Sequence, residues 1–160
     1  MEYYDELLNQ AFELLSKEPT LQTQADFRRS VSTAYYAIFH FLINEAVVHW
    51  DLPGSRNGLA RMFEHRVMKT VSKRTIDPSH YPFIGEDVTI VAALRSVAEA
   101  FIHLQDNRHI ADYDMATLWT KWEALNKVEI AAEAFTTWHS IRHQKIAQDY
   151  LVALLIKPRD

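Results

Sequence analysis

Apolar residues recur at three- and four-residue intervals along most of the chain, and that period predicts helices throughout. Tyr4, Leu7, Leu8, Ala11 and Leu15 define a first helix over about residues 2–17, stopped ahead of Pro19. Thr23 with Asp26 three residues on forms a capping box, with Thr20 a second candidate start. Phe27, Val31, Ala34, Tyr35, Ile38, Phe41 and Leu42 then trace one face of a long second helix. It ends near Trp50, before Pro53 and Gly54. A third helix is expected from about Leu59 to Ser72, with Leu59, Phe63 and Val67 turned inward. Residues 74–85 contain Asp77-Pro78, Tyr81-Pro82 and Gly85 and read as a loop.

Glu86 and Asp87 sit where the next helix begins, at the end of its dipole that favours negative charge. Val88, Val91, Leu94, Ala98, Phe101 and Ile102 carry that helix to about Gln105. The polar run from Asp106 to Asp114 reads as a helix end followed by a turn. Residues 115–156 contain neither Gly nor Pro, yet one helix of that length would span about 60 Å, too long for a bundle of this size. Asn126 with Glu129 offers an internal cap. A short helix over about 115–124 and a long last helix over about 127–156 are therefore expected. Leu125, Ala132, Phe135, His139, Ile146, Tyr150 and Leu154 lie along one broad stripe of that stretch. The pattern as a whole predicts an all-α, up-and-down bundle of about five helices, with long second and last members, in one domain over residues 1–160.

Composition agrees with that fold class. The chain has 160 residues, 48% of them hydrophobic and 12% aromatic, enough for one sizeable core. Its 3 Gly and 5 Pro are too few turn residues for an all-β domain. The absence of Cys excludes disulfides and thiolate metal sites and leans towards a cytoplasmic setting. The start Met1-Glu2-Tyr3-Tyr4-Asp5 has neither the basic region nor the apolar core of a secretory signal. No apolar run reaches the roughly 18 residues of a membrane helix, so no membrane partner is expected. A formal charge of −4 argues against a broad basic face for nucleic acid but leaves room for a local basic patch.

The polar run holds the first candidate site. Arg108, Asp112 and Tyr113 cluster between two helices, where a guanidinium could hold a phosphate with a forked pair of hydrogen bonds. The plainer reading pairs Asp112 with Arg108 and packs Tyr113 on the bundle. The 8 His offer a second candidate. His139 and His143 are four apart, as two imidazoles facing one metal would be, and His40 could add a third ligand from another helix. Glu45/His49 and Glu99/His103 repeat the spacing. Such pairs also arise by chance on polar faces, and His139 falls on the apolar stripe, so the preferred expectation is no metal. Tyr35, Tyr36, Phe39 and Phe41 read as core or interface. A base-stacking platform would need them exposed near Arg28 and Arg29. Arg61, His65, Arg66, Lys69, Lys73 and Arg74 form the most basic stretch and read as a solvated face. No P-loop, dinucleotide fingerprint, nucleophile elbow or zinc-protease motif is present, and no cofactor is expected.

Residues 28–40, Arg-Arg-Ser-Val-Ser-Thr-Ala-Tyr-Tyr-Ala-Ile-Phe-His, resemble the second helix of HEPN (higher eukaryotes and prokaryotes nucleotide-binding) domains. Phe63-Glu64-His65-Arg66 is similar to that family's third helix. Arg108-x-x-Ala111-Asp112-Tyr113-Asp114 is similar to the segment after its next helix, and Ala131-Ala132-Glu133-Ala134 to its Ala/Glu-rich final helix. The resemblance covers roughly residues 5–155. It implies an up-and-down bundle that forms homodimers, in the setting of toxin–antitoxin or defence systems, with a nucleotidyltransferase-like protein as a possible partner. Many members are metal-independent ribonucleases that use Arg-x4-6-His, the Arg steadying phosphate and the His assisting the ribose 2′-hydroxyl. This chain departs from that pattern. The fifth position after Arg108 is Tyr113, whose phenol, with a pKa of about 10, is a poor base at neutral pH. His109 follows Arg108 directly and would point elsewhere on a regular helix. Arg74 and His80 match the spacing formally but flank Asp77-Pro78 in another loop.

The leading expectation is thus a HEPN-like dimeric interaction module that binds a protein partner, RNA or a nucleotide through Arg108, Asp112 and Tyr113. A metal-independent ribonuclease with Arg108, His109 and Tyr113 as its best catalytic candidates is the first alternative. A His-ligated metal bundle using His40, His139 and His143 is the second.

Overall fold

The computed structural model describes residues 1–157, which form helices and connecting turns with no strand among them. Residues 158–160, the end of the expected 1–160 domain, lie outside the described residues. The helices are α1 (Tyr3–Leu15), α2 (Gln24–Val47), α3 (Arg56–Ala60), α4 (His65–Ile76), α5 (Val88–Tyr113), α6 (Lys121–Ile141) and α7 (Lys145–Leu155). Single 3₁₀ turns at Pro19–Leu21 and Pro53–Ser55 precede α2 and α3. The all-α class holds, but seven helices replace the expected five.

The starts of α2 and α5 follow local chemistry. The Thr23 N–H donates to Asp26 Oδ2 (3.0 Å) and the Asp26 N–H donates to Thr23 Oγ1 (3.3 Å), closing the capping box. Asp87 Oδ1 accepts from the N–H groups of Thr89 (2.8 Å) and Ile90 (3.2 Å), satisfying two donors that helix geometry leaves orphaned. The third helix expected over 59–72 divides into α3 and α4. Phe63, buried in the turn between them, anchors that division in the core.

Three further expectations are corrected. The polar run from Asp106 is not a helix end, because α5 continues through it to Tyr113. Leu104 and Ala111 stay buried on the face that Arg108 shares against α2, while Asp106 and His109 are exposed on the other, so the period never lapses. Residues 115–124 are not a short helix. Residues 115–120 form a turn and a non-helical link, and α6 begins at Lys121. Its cap is Thr120, whose Oγ1 accepts from the Glu123 N–H (3.2 Å) while Glu123 Oε2 accepts from the Thr120 N–H (2.8 Å). Asn126 is an exposed residue in mid-helix.

The long last helix is likewise two helices, α6 and α7, that part at 142–144 rather than at Asn126. The cause is tertiary. Glu45, on α2, is 5% exposed, and its carboxylate accepts from Trp138 Nε1 (2.8 Å) and from Nε and Nη2 of Arg142. Gln148 caps the freed Arg142 carbonyl through Nε2 (2.5 Å). The chain then turns back, so α7 buries Ile146, Ala147, Tyr150, Leu151 and Leu154, and Tyr150 shares a 2.7 Å hydrogen bond with Ser72 of α4. A straight continuation would carry that apolar face off the end of the bundle.

One apolar core links all these helices except the short α3, which contributes only half-buried Leu59 and Ala60. α2 runs through its middle, packed by α1, α5 and α6. α5 is long and apolar enough to cross a membrane by length and composition, contrary to the expectation that no segment would be. Its inward face, Val91, Leu94, Val97, Ala98, Phe101 and Leu104, is buried against the bundle.

Three substitutions separate these causes in urea unfolding. Thr120→Ala is expected to cost about 1 kcal/mol, the worth of an N-cap, whereas Asn126→Ala changes stability by less than about half of that. Arg142→Ala strands the Glu45 carboxylate and is expected to cost about 2–3 kcal/mol. That is below the range for a fully enclosed pair, because the Arg142 side chain is 33% exposed.

Candidate functional site

The residues singled out in the sequence meet where the last turns of α5 cross the first half of α2. The crossing is clamped by Arg28. Its Nη1 donates to the carbonyls of Ala111 (2.8 Å) and Asp114 (2.9 Å), and its Nη2 to that of Thr117 (2.6 Å). The guanidinium thus satisfies carbonyls at and beyond the C-terminal end of α5, where positive charge is favoured. Gln24 fastens the same link from the other side. Its Nε2 donates to the Trp119 carbonyl (2.6 Å), and its Oε1 accepts the Trp119 N–H (2.9 Å).

Inside that clamp, Arg108 lies against three tyrosines. Its Nη2 donates to the Tyr36 hydroxyl (2.9 Å), and Cζ stands 5.4 Å from the Tyr36 ring, 5.7 Å from Tyr35 and 6.0 Å from Tyr113. Asp112 Oδ2 is 3.1 Å from Nε, one helical turn on. It lies off the N–H axis, so the pair is Coulombic and Nε makes no hydrogen bond. Asp112 is held in turn by the Ser32 hydroxyl, which donates at 3.3 Å. Burial pulls the Arg108 pKa down, but Tyr36, Asp112 and Tyr113 outweigh it and hold it above its ordinary value. Nη1 has no partner among the described residues.

The structure therefore brings Arg108, Asp112 and Tyr113 together. The His109 ring also lies 5.0 Å from that of Tyr113, though His109 itself is exposed. Tyr35 and Phe39 are buried, while Tyr36 keeps partial access. Stacking of bases on all four aromatics is thereby excluded. Arg28 is spent on backbone carbonyls, and Arg29 is exposed.

His65 is a member of the group that spacing did not reveal. It belongs to a stretch read as a solvated basic face, yet it is the first residue of α4 and is turned inward on α2. Its ring stacks on Phe39 at 3.9 Å, and its Nδ1 lies 2.5 Å from the Tyr35 hydroxyl. Burial lowers the His65 pKa, and the charges of Arg108 and His40 lower it further. Burial likewise raises the Tyr35 phenol far above its usual value, so it stays protonated. The remaining basic residues behave as expected of a face: Lys69 pairs with exposed Asp106 at 2.5 Å, and Arg61, Arg66 and Lys73 are open to water.

The histidine metal site does not assemble. His40 packs edge-on against Tyr3 and Phe39, exposed His139 meets the edge of Phe41, and His143 lies beyond the end of α6. Among the described residues no three potential ligands come together. In the other spaced pairs one member has a different partner. Glu45 serves Arg142 and Trp138, while His103 takes the Lys127 ammonium at 2.9 Å. His80 pairs with Asp77 at 3.0 Å.

No protein-family model matches the chain, and neither the characterised proteins nor the solved structures contain a significant match.

Three histidines make stability depend on pH. His65, His40 and His103 all have pKa values lowered by burial, so below the ordinary histidine value of 6.5 the unfolded chain binds more protons than the folded one. Stability is expected to be full above that value and to fall as pH drops through it. His65→Gln should flatten part of the slope when unfolding free energy is measured between about pH 7.5 and 5.5.

Proposed function

We propose that the protein is a HEPN-like interaction module that recognises phosphate, on RNA or a nucleotide, without cutting it. The observation that carries this reading is Arg108. Its guanidinium is oriented by the Tyr36 hydroxyl and three aromatic rings, and its Nη1 edge is left for a ligand. A solvated surface arginine would show none of that confinement. The HEPN-type up-and-down arrangement, the cytoplasmic toxin–antitoxin or defence setting and a nucleotidyltransferase-like protein partner rest on the motif resemblance alone.

The module is proposed to act as a two-fold homodimer with Arg108 near the contact. Tyr113, Met115, Leu118 and Trp122 are 64%, 72%, 75% and 73% exposed along the link from α5 to α6. Large apolar side chains concentrated in so short a segment suit a protein contact. A metal-independent ribonuclease is the second reading, favoured by one observation: Arg108, His109 and Tyr113 do gather around one ring.

Light scattering is expected to give a dimer, and a monomer at high concentration would overturn the assembly. Binding of a fluorescent single-stranded RNA or of ADP should weaken about tenfold or more in Arg108→Ala, and equal binding would remove Arg108 as the contact. Total RNA in EDTA should stay intact at large protein excess. Cleavage there would replace this reading with the ribonuclease.

A further inference from the structure

We infer that His65 is the second phosphate-binding residue of the Arg108 site, acting through Nε2 as a neutral hydrogen-bond donor. The inference rests on the phosphate-binding reading above and extends it to a residue on a different helix.

The two side chains share one platform. Tyr35 and Tyr36 are adjacent on α2, and their ring centroids are 5.4 Å apart. Arg108 lies over both rings from α5, and His65 lies against both from α4, at 5.6 Å and 6.1 Å between centroids. Gln105, one turn before Arg108, donates its Nε2 to the His65 carbonyl at 3.5 Å, a weak bond that ties the two helices at this level. Neither side chain can drift far from the other without breaking contact with the tyrosine pair.

Hydrogen bonding then decides which proton His65 carries. The Tyr35 hydroxyl is buried, and its one partner among the described residues is His65 Nδ1. A buried hydroxyl left without an acceptor costs free energy, so Tyr35 donates and Nδ1 accepts. A neutral imidazole that accepts at Nδ1 carries its proton at Nε2. Nε2 has no partner among the described residues and is not fully enclosed. Phe39, stacked flat on the ring, prevents it from turning over freely.

The outcome is a fixed donor beside a fixed cation. Asp112 occupies the Nε side of Arg108 and is partly engaged by Ser32, which leaves Nη1 and His65 Nε2 for an oxyanion. The same tautomer explains why binding need not lead to cutting. An imidazole with a protonated Nε2 cannot take a proton from a ribose hydroxyl at that atom. The phosphate could belong to a free nucleotide or to an RNA strand, since both present the same oxygens.

Two measurements test the assignment on the full chain. In the first, ¹⁵N NMR of the histidine rings should show His65 Nδ1 unprotonated and Nε2 protonated at neutral pH, with the Nε2 resonance moving as ADP is added. A protonated Nδ1, or a resonance indifferent to both ADP and RNA, overturns the inference even if every variant misfolds. In the second, His65→Phe keeps the stacked ring but removes both nitrogens. It should weaken both probes about tenfold, while His65→Gln, which keeps an N–H near Nε2, recovers most of the loss. Loss for ADP and RNA alike assigns the contact to phosphate, and loss for only one identifies the source. If His65→Phe binds both probes like the parent while Arg108→Ala does not, Arg108 works alone and only this inference falls. If the parent binds neither probe, the phosphate reading itself falls and takes the inference with it.

Discussion

More than half of α2 is buried, and its sequence is not purely apolar, so the polar groups it carries into the interior need partners, and several find them on other helices or the links between them. Arg28 reaches the carbonyls that end α5, Ser32 reaches Asp112, Tyr35 reaches His65, Tyr36 reaches Arg108, and Glu45 reaches Trp138 and Arg142. Those five pairings fix where α4, α5 and α6 sit around α2. The apolar packing supplies the driving force but is not directional. The polar pairings choose one arrangement from the several that would bury similar area.

The same constraint produces the candidate site. At Tyr35 and Tyr36, α2 has two phenol hydroxyls, the first buried and the second partly exposed. The groups that answer them are ionisable and only partly covered. Burial holds the His65 imidazole towards its neutral form, whereas Arg108 remains charged because Tyr36 and Asp112 offset the cost of covering it. A neutral donor and a permanent cation therefore stand on one aromatic base. At the other end of α2, Glu45 is enclosed by Trp138 and Arg142 and contributes to architecture rather than to a surface.

The distribution of charge supports that division. The chain is acidic overall, yet the Arg108 cation is held on the same tyrosine pair as the neutral His65 ring. Asp112 tempers the spot, so an anion would compete with it for one side of the guanidinium only.

Local chemistry was sufficient for some features. The apolar period settled the all-α class, the capping box settled the start of α2, and acidic residues placed for the helix dipole marked the start of α5, because those signals are complete within four residues. The clustering of Arg108, Asp112 and Tyr113 was equally legible, since one turn of helix brings them together. Thr120-x-x-Glu123 carried the true start of α6 and could have been preferred to Asn126-x-x-Glu129 on sequence grounds. The break at 142–144 had no such signal: it contains no Gly or Pro and follows from a buried carboxylate 97 residues earlier. His65 was hidden for the same reason, because a histidine in a basic stretch looks solvated until the tyrosine 30 residues before it is placed beside it. The sequence by itself determined what each segment could become within a few turns. Only the tertiary structure decided which polar groups would meet across helices, because those pairings depend on contacts between residues far apart in the chain.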